Sequence, residues 1–235
     1  MKISVMQPYL FPYLGYFQLI HEADKFVFFD DVNFITRGWI NRNNILLHGK
    51  AHLFTVPLKN ASQHLKINEV LLAYDNRWLK GFLNSLEHAY KKAPYYTEVK
   101  SMIESVFNTD HSDVGKLAEA SVREVFRYLG EDAEYTTSSS LDYLRVGNGQ
   151  DKIISICRTL DTTFYINPFA GHEMYDRSTF LENEIDIGFL KMNPLQYAQW
   201  ENSNFVQNLS IIDILMFRAK EEVRTMLGEY IIVEQ

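Results

Sequence analysis

Cysteine is nearly absent from this chain. The one present, Cys157, has no partner for an internal disulfide, and its place in the helical pattern Asp151 to Leu160 marks a buried structural thiol rather than a nucleophile. Also missing are a GxGxxG fingerprint, a P-loop, HExxH, GxSxG and any Cys/His spacing suited to a metal. These absences remove the dinucleotide-type Rossmann enzymes, P-loop nucleotidases, zincins and ordinary serine hydrolases. No apolar run approaches the ~18 residues of a membrane span, and the start MKISVMQPYL lacks the apolar core and cleavage site of a signal peptide. A cytoplasmic protein without a membrane span is expected.

Acidic residues are missing from Val32 to Asn68, where Arg37, Arg42, Lys50, Lys59 and Lys66 contribute +5. The whole chain carries −7, so the remainder holds −12. An acidic protein is poorly suited to extensive nucleic-acid contact, because that affinity rests on neutralising phosphates. One acid-free basic segment instead points to a local anion site, or to a chance cluster on a solvated face.

What is present is a large apolar inventory. With 235 residues, 46% of them hydrophobic and 14% aromatic, the chain has ample material for one α/β domain over 1–235. The surplus of 14 Tyr and 16 Phe suits either a larger core or a homodimer contact. Lys2 to Met6 reads as a buried strand, Tyr13 to Ala23 as a helix and Lys25 to Phe29 as a second strand, which together make a βαβ unit with a parallel pair. A third strand is expected at Ala51 to Pro57. From Asp75 to Tyr128 the pattern is helical, with Trp78, Phe82, Leu86 and Tyr90 on one face, so 75–130 reads as an inserted helical layer. Asp110 or Ser112 is a candidate cap for its last helix. Strands return at Ala133 to Ser138, Thr163 to Ile166 and Ile185 to Lys191, and helices at Asp151 to Leu160, Ser210 to Phe217 and Glu221 to Leu227. The expected class is an open, mostly parallel, doubly wound Rossmann-like sheet with an added helical layer.

In such a sheet, ligands sit beyond the carboxyl ends of the strands. The stretch Met6-Gln7-Pro8-Tyr9-Leu10-Phe11-Pro12-Tyr13-Leu14-Gly15-Tyr16 falls there, and Pro8 and Pro12 stiffen it, whether as a ligand cradle or as a packed turn. Asp30 and Asp31 end the second strand on the same edge and should share one cleft with it. They are placed to hold Mg²⁺, or simply to hydrogen-bond the adjacent loop. Arg37 to Asn44 packs two guanidinium groups and the carboxamides of Asn41, Asn43 and Asn44 around Trp39, a combination able to bind a carboxylate or phosphate while Trp39 supplies an apolar wall. The loop Asn167 to Asp176 opens on the same edge. There His172, beside Glu173 and near Tyr175, is a general-base candidate or a hydrogen-bonded structural residue.

The runs MQPYLFPYLGYFQLI and ADKFVFFDDVNF, the cluster Arg37-x3-Asn41-Arg42-Asn43 and the strand ending Thr55-Val56-Pro57 resemble the WbqC-like protein family. Weaker motifs sustain the likeness through Tyr165 to Phe189 and Leu209 to Leu215. The resemblance implies a role in bacterial surface polysaccharide and O-antigen biosynthesis, with glycine transfer to an amino sugar. In that role the base would be Asp30, Asp31 or His172; Arg37 and Arg42 would bind phosphate or carboxylate; and Gln7, Asn41, Asn43, Tyr13, Tyr16 and Tyr175 would contact or orient the substrate. The expected partners are a nucleotide-linked amino sugar and an amino-acid donor, with free glycine plus ATP and Mg²⁺, an aminoacyl-tRNA and a carrier thioester all open as donors. A non-catalytic sugar-nucleotide-binding partner of a polysaccharide enzyme is the alternative.

The segment Tyr13-Leu14-Gly15-Tyr16 is also similar in position to the H-x-G-H tetrad of nucleotidyltransferases. Gly15 is kept where that resemblance implies a phosphate approaches, but both histidines are tyrosines. A neutral phenol supplies no positive charge at pH 7, so the likeness implies the scaffold and not adenylyl transfer.

Overall fold

The computed structural model describes residues 1–200 and 204–234. β1 (Lys2–Met6), α1 (Leu14–Glu22) and β2 (Lys25–Phe28) form the expected βαβ unit, with β1 and β2 parallel and Ile3 opposite Lys25. β3 (Arg42–Leu47) and β4 (Lys50–Thr55) then pair as an antiparallel hairpin outside the main sheet. The strand expected at Ala51 is therefore half of a hairpin. Its partner begins inside the polar cluster, where the sequence showed no strand pattern. β5 (Leu58–Lys59) and β6 (Leu71–Leu72) make a second small ribbon.

Three helices follow: α2 (Asn76–Tyr90), α3 (Tyr96–Phe107) and α4 (Val114–Leu129). Their aromatic residues are core, as the spacing implied. Trp78 stacks on Phe82 with ring centroids 5.4 Å apart, and Phe82 meets Phe54 of the hairpin at 4.6 Å. Capping of α4 differs from expectation: Asp113, not Asp110 or Ser112, accepts a hydrogen bond from the Lys116 amide at 2.9 Å. The chain returns to the sheet with β7 (Tyr135–Thr137), α5 (Gly149–Thr159), β8 (Phe164–Pro168), α6 (Arg177–Glu182) and β9 (Asp186–Met192). α7 (Ile211–Phe217), α8 (Lys220–Leu227) and β10 (Tyr230–Glu234) complete it. Ser210 caps α7 as expected, while β10, an antiparallel strand beside β9, is an addition the sequence reading missed.

The main sheet runs β10-β9-β8-β1-β2-β7, and all strands except β10 are parallel. Successive side chains of a strand point to opposite faces. Phe26, Phe28, Ile166 and Leu190 accordingly join residues of α1, α3, α4, α7 and α8 in one core cluster. Ile3, Val5, Val27, Tyr165, Ile187 and Phe189 join α5 and α6 in the other. Helices on both faces make the sheet doubly wound, as expected. From β1 the chain first builds outward through β2 to β7 and then crosses back to β8 and β9. The switch point lies between β1 and β8, where a crevice opens beyond the carboxyl ends.

Candidate functional site

The segment between β1 and α1 is held by its backbone. Phe11 is fully buried and takes φ 40°, a left-handed conformation that a bulky residue adopts only when its surroundings impose it. Its amide donates to Ser121 Oγ of α4 at 2.9 Å, while its carbonyl accepts from Asn43 Nδ2 at 2.8 Å and Ser210 Oγ at 2.7 Å. Asn43 also donates to the Leu10 carbonyl at 3.1 Å, and the Leu10 amide donates to the Trp39 carbonyl at 3.2 Å. Tyr16 is fully buried and donates its phenol to the Gln7 carbonyl at 2.8 Å, tying the first turn of α1 to the end of β1. The stretch is therefore rigid, as its prolines implied.

Beside it lies a cavity of about 380 Å³ at the switch point, lined from β1's loop by Tyr9, Pro12 and Tyr13 and from β8's end by Pro168, Phe169 and Ala170. Leu190, Lys191 and Met192 at the end of β9 and Trp39, Asn43 and Asn208 complete it. Lys191 Nζ stands 5.0 Å from the Phe169 ring centroid, so a cation meets an aromatic wall. Burial pushes the Tyr13 phenol up to about 12 and raises that of Tyr9, so both are neutral hydrogen-bonding groups at pH 7. A second cavity of about 300 Å³ adjoins the first and shares Tyr13, Met192 and Asn208 with it. At the base of that shared wall is Gly15, where a Cβ would stand 2.5 Å from Met192 Sδ and 2.6 Å from Tyr13 Cε2. The space over this glycine is thus filled by two side chains and is not left open for a phosphate.

Of the residues the sequence singled out, Tyr13 and Asn43 line the larger cavity, and Trp39 supplies the apolar wall assigned to it. Gln7 and Tyr16 support it from behind through the bond between them. Arg42 is turned onto its own loop: Nε donates to the Gly38 carbonyl at 2.8 Å, another nitrogen bonds the Arg37 carbonyl, and the guanidinium lies 5.7 Å from the Trp39 ring centroid. Arg37 itself is exposed, with φ 64°. Asn41 is buried and donates to the Val56 carbonyl at 2.8 Å. The cluster's side chains mainly hold backbone carbonyls: Arg42 those of its own loop, Asn41 that of Val56, and Asn43 those of Leu10 and Phe11.

Asp30 and Asp31 lie at the β2 and β7 end of the edge and do not line the cavity. The expectation of one shared cleft is corrected by the position of the cavity, which opens at the ends of β1, β8 and β9, while every oxygen of the pair accepts a hydrogen bond from the chain after β7. Asp30 Oδ1 accepts from Ser138 Oγ at 3.0 Å and the Ser139 amide at 2.9 Å, and Oδ2 from Ser139 Oγ at 2.6 Å. Asp31 Oδ1 shares the single Ser138 hydroxyl proton with Asp30 Oδ1 and accepts from Tyr143 Oη at 2.9 Å; its Oδ2 accepts from Arg145 Nε at 2.7 Å. Burial alone would raise the Asp31 pKa, but these hydrogen bonds and the Arg145 charge outweigh it and hold the pKa lowered. A carboxylate pair saturated by protein donors does not fit Mg²⁺, which takes its oxygens from carboxylates, substrate and water.

His172 packs its ring on Phe169, centroids 4.7 Å apart and planes 8° from parallel, and its Nδ1 lies 2.9 Å from the Phe169 carbonyl. Tyr175 meets Tyr165 edge-on at 5.9 Å, behind the cavity wall. Both thus buttress Phe169 and the end of β8. Two residues the sequence reading passed over are Lys191 and Asn208. Lys191 interrupts the apolar run Gly188 to Met192 at a strand's carboxyl end, which was the available signal. Asn208 has φ 56°, a backbone state in which asparagine is favoured among non-glycine residues.

No helix among the described residues is long and apolar enough to cross a membrane. No solved structure matches the chain. It is similar to a Mycobacterium tuberculosis protein named "Uncharacterized protein Rv1507c", with 24% identity over 216 residues, covering 91% of this chain and 92% of the other. The model of the WbqC-like protein family matches residues 7–225, from the clamped Gln7 loop to α8. The chain belongs to the WbqC-like protein family.

Proposed function

We propose that the chain binds a nucleotide-linked deoxyamino sugar at the switch-point cavity and joins an aminoacyl group, glycyl in the first instance, to the sugar's amine. Membership of the WbqC-like family supports a role related to polysaccharide biosynthesis. The observation that carries the finer reading is the cavity itself: rings from Tyr9, Trp39 and Phe169 and one ammonium, Lys191, at the strand ends where α/β sheets bind nucleotides. Aromatic faces take a base or sugar ring, and Lys191 meets a phosphate as a point charge.

In the transfer, the sugar nitrogen bonds to the acyl carbon of an activated aminoacyl donor. The bond from that carbon to its leaving group breaks with its electron pair, and the nitrogen's proton passes to a base. His172 does not line the cavity but stacks on its Phe169 wall, and of the three base candidates it is the one this reading retains. Asp30 and Asp31 are committed to Ser138, Ser139, Tyr143 and Arg145 and serve the loop instead. Neutral Tyr13 and the carboxamide of Asn208 are the oxyanion donors.

The same saturation of both carboxylates favours one competing reading, a sugar-nucleotide-binding partner of another polysaccharide enzyme without chemistry of its own. Mass spectrometry separates the two. Purified protein is incubated with a dTDP-linked 4-amino-4,6-dideoxyhexose and, in turn, glycine with Mg-ATP, glycyl-tRNA and a glycyl thioester. A glycyl adduct lost in His172→Ala supports transfer. Saturable sugar-nucleotide binding without product from any donor leaves the binding reading.

A further inference from the structure

The two adjoining cavities differ in chemistry. In the larger one, Trp39 and Phe169 offer faces and Lys191 offers the charge. The smaller one brings together the carboxamides of Asn193, Gln207 and Asn208 with the hydrocarbon of Leu195, Val206 and Ile214. Among the described residues, none of those carboxamides hydrogen-bonds another protein group through its side chain, and Asn193 and Gln207 are exposed. A carboxamide both donates and accepts, so a set of them matches hydroxyl and amino substituents of either polarity. The adjacent hydrocarbon matches a methyl group.

We infer that one sugar nucleotide spans both cavities, with its nucleoside diphosphate in the Trp39/Lys191 cavity and its deoxysugar ring in the Asn193/Gln207 cavity. This rests on the sugar-nucleotide reading above and adds the polarity of the ligand and the residues that choose the sugar. The ligand crosses the wall made by Tyr13, Met192 and Asn208, the residues that line both cavities. The sugar amine is then held next to Tyr13, and Gln207 and Asn193 become specificity residues. The combined space, about 380 Å³ and about 300 Å³, is within the range of sites that enclose ligands of this size.

Calorimetric titration of the full-length protein tests the assignment, with dTDP and a dTDP-linked 4-amino-4,6-dideoxyhexose as the probes. The sugar nucleotide should bind about tenfold tighter than dTDP, on the scale of one or two added neutral hydrogen bonds. Asn193→Ala combined with Gln207→Ala should bring the sugar nucleotide down to the affinity of dTDP and leave dTDP unchanged. Lys191→Ala should weaken both ligands by about tenfold or more, as expected for a charge-assisted contact. Leu195→Trp, which fills the smaller cavity, should act like the double substitution, with circular dichroism checking that the fold is kept.

Equal affinities for the two ligands overturn the two-cavity assignment and leave sugar-nucleotide binding intact. So does a double variant that weakens both ligands alike. Failure of the sugar nucleotide to bind overturns the parent reading and this assignment together.

Discussion

Gly15 lies so close to Met192 that a Cβ on the glycine would stand 2.5 Å from the methionine sulfur. The first turn of α1 and the end of β9 are thereby fixed against each other at the wall between the two cavities. Alanine has the better helix propensity by about 1 kcal/mol, but overpacking costs about 1–3 kcal/mol, so Gly15→Ala should destabilise the fold. Much of that cost should vanish in a Met192→Ala background, because the sulfur is gone and the Tyr13 ring gains room to turn. Urea midpoints of the single and double variants measure the coupling, and additive effects would mean the two residues do not share the space.

The acid limb of stability should depend on Arg145. The pKa of Asp31 is lowered in the folded chain, so the unfolded chain binds more protons as the solution is acidified. Its contribution is complete above the unfolded value and is lost as the pH falls through the folded one. Arg145→Ala removes a 2.7 Å donor, and the loss should begin at higher pH. Stability curves measured from pH 7 downward would show the acid limb displaced; coincident limbs would dismiss the Arg145 contribution.

Asp213 presents the opposite sign. It is fully buried and accepts from Tyr90 Oη at 2.7 Å, Tyr197 Oη at 2.6 Å and Gln199 Nε2 at 2.9 Å. Desolvation raises its pKa despite these donors, so its contribution is full below the unfolded value and declines as the pH rises through the folded one. Asp213→Asn keeps one acceptor oxygen and replaces the other by a donor facing a donor, and should cost about 1–3 kcal/mol. It should also loosen the segment around Tyr197, a residue that lines the smaller cavity. Chemical denaturation reads the first effect and hydrogen exchange at residues 195–199 the second.

Trp39 should report ligand entry. It is 43% exposed, lines the larger cavity and sits beside Arg42, so ring stacking should change its fluorescence. Trp39→Phe should abolish the change and leave the signals of Trp78 and Trp200. Arg42→Ala should weaken sugar-nucleotide binding by about 1.5–3 kcal/mol if its charge is used, and by less if it only props the Trp39 loop. An unchanged affinity with an intact fluorescence response would remove Arg42 from the site.

The βαβ unit was legible because apolar runs of strand length bracket a helical spacing, and the order of elements then fixed which edge would carry a site. The partners of Asp30 and Asp31 were not legible. Ser138, Ser139, Tyr143 and Arg145 lie more than 100 residues downstream, and nothing local distinguishes a saturated carboxylate from a free one. The polar cluster misled for a related reason. Asn41, Arg42 and Asn43 have the composition of an anion site, but their side chains mainly hydrogen-bond backbone carbonyls of neighbouring loops. β10 has a local signal in the apolar run Tyr230 to Val233, but the run is short and directly follows the helical pattern of α8. Lys191 was a lone cation in an apolar strand, easily taken for a solvent-facing edge residue.

The left-handed Phe11 carries a consequence for biogenesis. Its stabilising partners are Asn43, Ser121 and Ser210, the last two 110 and 199 positions away. A chain emerging N-terminus first exposes the segment between β1 and α1 long before two of the groups that hold it have been synthesised. Until Ser210 docks, this aromatic residue is released to the extended or right-handed backbone states it intrinsically prefers. Closure of the wall beside the switch-point cavity therefore waits on residues near the far end of the chain, so a polypeptide truncated before Ser210 should lack it.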